Sequence, residues 1–534
     1  MHEVDPSKLD NPSLGNILQE RAGRDGDETL LLFEDEKVTC AEFNAQANRA
    51  ANGLLELGVR KGDTVCLYLP NCPAWMYLWF GMAKMGAVLV PVMPGLSGTY
   101  LAHLINQSDA ETVLVHSSFL GAFNGVAHTL GKVKNVIVDT DDASGERIHL
   151  PRGAVRMKQL FDSSTDPPAV DVRYPDVSHI IFTSGTTGFP KGLVVRHDRP
   201  GRTRDPSVSE MFGLHPGDVA YTCYPLPSCF TDFIGCLTAG MPVAFSREKR
   251  FDTFWDDVRR YNVVAFNYFA DLIPALLDQP EKEDDADNPA RICTGIMAPR
   301  EPGVVASFEK RFGVRVVETY GTVEGGNATE NRPYRTGSIG KPVPGVEVKI
   351  VDSEGNEVGP QVVGEIVHRR TSGEPIAVDY YKMPAESAAK TFDGWYHSDD
   401  LAYKDEDGYL YFVDRKLDTI RKDGTQIPVS TIESVVAQHD SVSQCVAVGV
   451  PRGSEDDDIK LCVVCKEGMT LDADELLRFC AQNMDDHLLP RYIQFRSDFP
   501  RSSRGKVQRF KLQAEGVSAD IWDRYGTDTD GSRS

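Results

Sequence analysis

Hydrophobic positions along the chain change period several times, and each change marks an element. AEFNAQANRAANGLLELG (41–58) is amphipathic with helical spacing and ends in a Gly, VCLYLP (65–70) reads as a strand, and AVLVPV (87–92) is a second apolar run. The most apolar stretch is Ala74 to Val92, about the 20 residues that a membrane span needs. It carries Gly81, Lys84, Gly86 and Pro91, so a buried helix followed by a strand is the expectation. The same alternation returns in SHIIFTS (178–184), VAYTCYPLP (219–227), PVAF (242–245) and VRVVETYG (314–321), each strand ending in a Gly- or Pro-rich loop. Helix and strand in alternation imply α/β layers built on parallel strands.

After Gly337 the texture shifts to short strands and turns, GVEVKIVDSEGNEVG (345–359), VVGEIVHRR (362–370) and GYLYFVDR (408–415), which predicts a smaller β-rich subdomain. From Lys416 onward come a strand with a Gly turn, a helix at VSTIESVVAQHD (429–440), strands at CVAVGVP (445–451) and KLCVVCKEG (460–468), and a helix from Asp472 to Asn483. That is an α+β unit of about 100 residues, an ordinary domain size. The expected boundary lies at Arg415 to Leu417, giving domains at 1–415 and 416–520 with a polar tail at 521–534. A 534-residue chain outgrows a single core in any case, since cores stop growing at roughly 250 to 300 residues.

Composition narrows the class. With 41% hydrophobic and 25% charged residues the chain is globular. The start, MHEVDPSKLD, is polar and acidic and lacks the features of a secretory signal, and eleven cysteines scattered through apolar segments read as reduced thiols, so a cytoplasmic location is expected. Cys462 and Cys465 form a lone CxxC inside a β-branched run, which predicts a strand and not a zinc knuckle. A formal charge of -22 argues against nucleic-acid recognition. It leaves a small polyanion able to bind wherever a few cations and backbone amides surround it, because charges beyond about 8 Å are screened.

IIFTSGTTGFPKG, Ile180 to Gly192, supplies such a place. An apolar strand delivers a loop of glycines and hydroxyls, Thr183, Ser184, Gly185, Thr186, Thr187 and Gly188, and Lys191 follows. Glycines let amides approach phosphate oxygens, hydroxyls add donors and the lysine adds charge, so the segment is a phosphate cradle. The Walker pattern GxxxxGK[ST] is absent.

TSGTTGFPKG resembles the phosphate loop of the adenylate-forming superfamily, the AMP-forming acyl-CoA synthetases, luciferases and peptide-synthetase adenylation domains. The resemblance runs from about Thr39 to Arg509 through five motifs in the family's order. It implies an α/β fold with a large N-terminal domain of layered subdomains and a small, mobile α+β C-terminal domain. It also implies ATP, Mg2+ and coenzyme A, the last as co-substrate. In ETYGTVEGG (318–326) it places Tyr320, Gly321 and Thr322 at the nucleotide and Glu324 on the magnesium, with Val323 where the family has a Thr. CTGIMAP (293–299) resembles the strand and turn beside the adenine, through Gly295, and a buried packing strand accounts for it equally.

GWYHSDDLAYKDEDGYLYFVDR (394–415) implies ribose contacts from Asp400 and Arg415, with Asp399 in place of the usual Gly. KLDTIRKDGTQIPVSTIE (416–433) resembles the hinge and thioester-forming loop, through Leu417, Asp423 and Gly424. FPRSSRGKVQRF (499–510) brings Lys506 to the position of the catalytic lysine. A cation is needed there, because adenylation gathers negative charge on the carboxylate oxygen and the five-coordinate phosphorus.

The resemblance implies a ligase that joins an acid to a thiol through an acyl-adenylate. Two other readings of the same residues stay open: a non-catalytic nucleotide or acyl binder, suggested by Val323, Asp399 and Asp423, and an adenylating enzyme with a carrier-protein acceptor. In similar ligases the acyl pocket follows the phosphate loop, here TCYPLPSCFTDFIG (222–235), with Ser228 where a histidine is frequent; Cys229, Phe230, Phe233 and Ile234 suggest an apolar pocket, and a core helix gives the same pattern. YGTVEGGN (320–327) and the closing KLQAEGVSADIWDR (511–524) look most like the fatty-acid-transport and carnitine-CoA-ligase branch. The expected partner is a small carboxylic acid, a medium or long fatty acid or a carnitine-like acid. Peripheral contact with a membrane surface and the oligomeric state are left open.

Overall fold

The structure, a computed structural model, describes residues 2–140, 153–183, 190–197, 213–352, 354–415, 419–422, 425–452, 456–501, 507–518 and 521–526. It divides into two compact units. The first holds the described residues up to Glu347 together with Arg369–Tyr396, and the second holds Val348–His368 and the chain from His397 onward.

Two sheets organise the first unit. In the seven-stranded one, Thr64–Tyr68 lies between Val88–Pro91 and Thr112–His116 in parallel, and the sheet ends on the antiparallel hairpin of Val177–Thr183 with Lys191–Arg196. In the nine-stranded one, Val219–Thr222, Val263–Tyr268, Ile292–Gly295 and Arg315–Thr322 run parallel as neighbours, and Gly326–Asn331 turns back antiparallel beside the last. The parallel strands are mostly buried along their length, with Thr64–Tyr68 and Val88–Pro91 buried at every position, as cover on both faces requires.

The helices follow from local chemistry. Thr39 caps the helix Cys40–Glu56 by accepting from the Glu42 amide at 3.2 Å, while the Glu42 carboxylate accepts from the Thr39 amide at 2.9 Å, closing a capping box. Pro73 opens the helix Pro73–Met85, and Gly86 ends it in the left-handed conformation at φ 76°. The apolar stretch 74–92 is therefore a buried helix followed by the strand Val88–Pro91. Gly81 is explained by packing: a Cβ there would stand 2.9 Å from the Ala47 carbonyl oxygen and from Ala50 Cβ, so the two helices touch through it. Among the described residues no helix is long and apolar enough to cross a membrane.

Aromatic rings fill the centre of the first unit. Trp79 is fully buried, with ring centroids 4.7 Å from Phe80 and 4.8 Å from Phe230. Burial on that scale makes a Trp79→Ala exchange worth about 3 to 5 kcal/mol.

The second unit has its own core of Ile432, Val436, Ala447, Ile459, Leu461, Val463, Leu476 and Ile493. It contains the four-stranded sheet of Val442–Arg452, Asp456–Cys465, Tyr492–Phe495 and Trp522–Asp523, flanked by the helices Val429–Val436 and Ala473–Asn483. The first of these helices stops four residues short of the 429–440 read from the sequence, because Val436, its last buried position, is followed by exposed Ala437 and Gln438, which bury nothing. Cys462 and Cys465 lie on a strand, and all eleven cysteines are free thiols.

Candidate active site

The strand Val177–Thr183 carries His179, Ile180 and Ile181 into the seven-stranded sheet and reaches its end at Thr183, which pairs with Lys191 on the returning strand. The loop between them thus leaves and re-enters on a single rung. Ser184, Gly185, Thr186, Thr187 and Gly188 lie outside the described residues, and their two anchors are what the structure reports. Gly192, next to Lys191, is required by packing, since a Cβ there would meet Ile180 Cγ2 at 2.8 Å.

Lys191 Nζ stands 5.3 Å from the ring centroid of Tyr380, a cation–π distance. Tyr380 is 4% exposed and held along the Lys191–Arg196 strand by the Tyr381 amide donating to the Gly192 carbonyl at 2.7 Å and the Val194 amide donating to the Asp379 carbonyl at 2.8 Å. Its hydroxyl donates to Glu324 Oε1 at 2.9 Å. One buried phenol therefore joins the Lys191 ammonium to the carboxylate in the turn 323–325. Nothing in the order of residues marks Tyr380: it sits in VDYYKMP (378–384), outside every motif, and only its pairing partners reveal it.

Glu324 lies in the turn between the antiparallel strands Arg315–Thr322 and Gly326–Asn331. Gly321 must be glycine, because a Cβ there would lie 2.3 Å from the Gly326 carbonyl oxygen. Thr322 Oγ1 accepts from the Gly325 amide at 2.8 Å and shares a 2.8 Å hydrogen bond with the Tyr396 hydroxyl. It tightens the turn that presents Glu324, while Val323, at the family's Thr position, is 44% exposed. Tyr320 is 8% exposed near the strand end.

Gly295 ends the neighbouring strand. A Cβ at this position would fall 2.0 Å from the Tyr268 carbonyl oxygen, so the adjoining strand alone demands glycine. Thr319 Oγ1 donates to the Gly295 carbonyl at 3.1 Å. Beside it Glu318, 5% exposed, accepts from the Ala298 amide at 3.2 Å. Burial pushes its carboxyl up to about 7, against the opposing pull of the Ala298 amide and the Arg300 charge.

Phe230 and Phe233 are 2% and 3% exposed. Phe230 packs on Trp75, Trp79 and His179, and Phe233 on Phe43 and Phe80. Both rings belong to the aromatic core, and what the segment 228–234 exposes is Thr231 and Asp232.

In the second unit Asp400 and Arg415 are cross-strand partners, their charged groups 3.7 Å apart, with Asp400 8% exposed. The Asp400 amide donates to Ser398 Oγ at 3.1 Å, and Ser398 Oγ donates to the Ile366 carbonyl at 2.7 Å, which fixes this rung. Asp399 has φ 60°, the left-handed region, which explains why the family has glycine there and why a short polar residue is the tolerated substitute. Its amide donates to Glu365 Oε1 at 3.2 Å. Leu417, Asp423, Gly424 and Lys506 lie outside the described residues.

For a magnesium ion the described residues offer no group of three ligating side chains. Magnesium bound to a nucleotide needs only one or two carboxylates besides the phosphates, and Glu324, with one oxygen taken by Tyr380, fits that need.

A layered α/β unit in which Tyr380 brings Lys191 and the Glu324 carboxylate together, with a separate α+β unit, fits a nucleotide-dependent ligase of the adenylate-forming type. Sequence comparison agrees: residues 18–376 match the AMP-binding enzyme family and residues 431–506 its C-terminal domain. The crotonobetaine/carnitine–CoA ligase of Salmonella choleraesuis (strain SC-B67) is 31% identical over 527 residues, covering 94% of this chain and 99% of the relative.

Among solved structures, the anthranilate CoA ligase AuaEII in complex with anthranoyl-AMP superposes with TM-score 0.76 at 23% identity, over 96% of this chain and 98% of the other. The o-succinylbenzoate CoA synthetase of Bacillus subtilis with its acyl-adenylate gives 0.78 at 22% identity, over 95% and 99%. The fatty acyl CoA synthetase of Mycobacterium tuberculosis gives 0.72 at 23% identity, over 94% and 98%. At these identities the likeness to solved structures shows the fold. The chain belongs to the AMP-binding enzyme family and is an adenylate-forming acyl-CoA ligase.

Proposed function

We propose that the protein uses ATP to convert a small carboxylic acid, a carnitine-like or fatty acid, into its acyl-adenylate, and then passes the acyl group to coenzyme A. The observation that carries the reading is the Tyr380 link, with its hydroxyl on Glu324 and its ring under Lys191. It keeps a cation and a carboxylate at one strand end, as a phosphate-and-metal site needs.

In this reading the acid's carboxylate attacks the α-phosphorus and pyrophosphate leaves, so no protein nucleophile is required. Catalysis reduces to positioning and charge neutralisation. The loop 184–188 with Thr183 and Lys191 cradles the phosphates, Tyr320 with Gly295, Gly321 and Thr322 frames the adenine, and Asp400 accepts from the ribose hydroxyls beside Arg415. Glu324 would hold a magnesium ion, which would supply positive charge at the phosphates. Lys506 donates to the carboxylate and α-phosphate oxygens where charge builds up, an effect worth roughly 10² to 10³ in rate. The acid's tail lies toward the segment 228–234, with Phe230 and Phe233 as its packed floor. The domain boundary at Arg415 to Leu417 acts as a hinge that exchanges Lys506 for the loop of Asp423 and Gly424 before the thiol attacks.

The test is pyrophosphate release from ATP with magnesium, coenzyme A and a panel of acids. Release must depend on the acid and must collapse in Lys506→Ala. An unchanged rate in that variant refutes the mechanism.

A further inference from the structure

Tyr380, which joins Lys191 to Glu324, belongs to a segment that is tied to the end of a helix far away in the chain. The helix Gly98–Gln107 closes on Ser108, and Asp109 follows in the left-handed conformation at φ 57°, where glycine or asparagine is usual. Its amide donates to the Asn106 carbonyl at 3.2 Å and the Ala110 amide to the Ile105 carbonyl at 3.3 Å, so backbone bonds alone complete the turn. A carboxylate kept in an unfavoured backbone region therefore points to work done by its side chain.

Three donors converge on that carboxylate. The Tyr381 hydroxyl donates to Oδ2 at 3.0 Å, Lys132 Nζ donates to Oδ1 at 2.6 Å, and Lys382 Nζ pairs with Oδ2. Burial works to raise the Asp109 carboxyl, but the bonds from Lys132, Lys382 and Tyr381 outweigh it and hold the group at about 2, fully charged in the neutral range. Two of the three donors are the residues directly after Tyr380, and Lys382 is itself left-handed at φ 60°. The same helix also reaches the other stem of the site, since His103 Nε2 donates to the Pro190 carbonyl at 3.1 Å, next to Lys191.

Stability is a poor account of this cluster. Lys132 and Lys382 are exposed, and ion pairs at a surface contribute little to folding. What charge-assisted bonds do well is fix position, and position is what Tyr380 needs. Its hydroxyl lies 2.9 Å from Glu324 Oε1, and a displacement of about 1 Å would break that bond.

Resting on the ligase reading above, we propose that Asp109 is a positioning residue for the nucleotide site. By holding Tyr381 and Lys382 it sets Tyr380 where the hydroxyl meets Glu324 and the ring meets Lys191, and its influence on the nucleotide passes through Tyr380.

The experiment is a double-mutant cycle on the full chain: wild type, Asp109→Asn, Tyr380→Phe and the double variant. The dissociation constant of ATP in excess magnesium is read by calorimetry with no acid present. Asparagine keeps the shape of the side chain and tolerates the left-handed backbone. Asp109→Asn is expected to raise Kd roughly three- to tenfold, and to raise it by less than about twofold once Tyr380 is Phe. Equal losses in both backgrounds overturn the proposal, since they mark a role independent of Tyr380, and so does wild-type affinity in Asp109→Asn. If Asp109→Asn does not fold, Tyr381→Phe, which removes the 3.0 Å donation alone, enters the same cycle with an expected loss of about two- to fivefold and the same criterion. A wild type that binds ATP but releases no pyrophosphate with any acid sinks the ligase reading while the cycle still decides this inference, whereas a wild type that binds no ATP sinks both.

Discussion

Replacing Glu318 by Gln tests the description of the strand Arg315–Thr322 through stability alone, without any substrate. The carboxyl is 5% exposed and its pKa is raised from 4.5 to about 7 by burial. The groups facing it are Arg300, whose charge opposes the shift, and the phenols of Tyr268 and Tyr334, which its own charge pushes upward. Because the folded-state value is the higher one, the native protein holds this proton across a range where the unfolded chain has released it. Stability therefore falls as pH climbs from about 4.5 to about 7 and stays flat above. At 1.36 kcal/mol per unit the full cost above pH 7 is about 3 kcal/mol.

Gln keeps an oxygen for the Ala298 amide, carries no charge and adds an amino group whose accommodation costs about 1 kcal/mol. The variant is expected to gain roughly 1 to 3 kcal/mol at pH 8 and to gain nothing, or lose slightly, at pH 5. The assay is urea unfolding of both proteins at a series of pH values, read as the difference between them, in which every other titrating group cancels. Parallel stability curves, or a variant that is worse at pH 8 than at pH 5, would refute the burial of a strained carboxyl at this site.

Tyr380→Phe removes the hydroxyl bound to Glu324 and keeps the ring beneath Lys191. Adenylation measured by pyrophosphate release should fall roughly fivefold to tenfold, for a lost bond of about 1 kcal/mol, with the melting temperature nearly unchanged. Asp399→Gly relieves a left-handed residue and removes a negative charge beside Asp400. Thermal melts should show a gain of about 0.5 to 1 kcal/mol, and a lower KM for ATP should accompany it. Gly295→Ala forces a methyl group against the Tyr268 carbonyl, so it should cost roughly 1 to 3 kcal/mol or prevent folding, seen in thermal melts with no nucleotide present.

Much of the fold was legible because the period of apolar residues is a local quantity. The strands at 64–68, 88–91, 177–183 and 315–322 and the helices at 40–56 and 73–85 stand where the pattern put them, within a residue or two at their ends, whereas the strand read at 219–227 ends at Thr222 because the prolines of CYPLP turn the chain out of the sheet. The motif glycines were legible too, but for a partly different reason from the one the resemblance supplies. Gly295 and Gly321 are demanded by the carbonyls of Tyr268 and Gly326, whatever they also do for a nucleotide.

Long-range partners were not legible. Tyr380 meets Glu324 across 56 positions and Asn267 meets Asp232 across 35, and no local period encodes such pairs. Phe230 and Phe233 show the converse limit, since a lining ring and a core ring have the same signature in sequence and here both rings are packed. Asp399 could be flagged as a departure from the family, but only the backbone angle shows what the departure costs.

The central claim of the proposed function is that the ammonium group of Lys506 completes a site able to activate a carboxylate on a nucleotide. Acid-dependent exchange of labelled pyrophosphate into ATP, measured without coenzyme A for the wild type and for Lys506→Ala, isolates that step. The account predicts exchange that requires the acid and drops by at least about a hundredfold in the variant while ATP still binds. Exchange that proceeds without an acid, or at the same rate in both proteins, would contradict it.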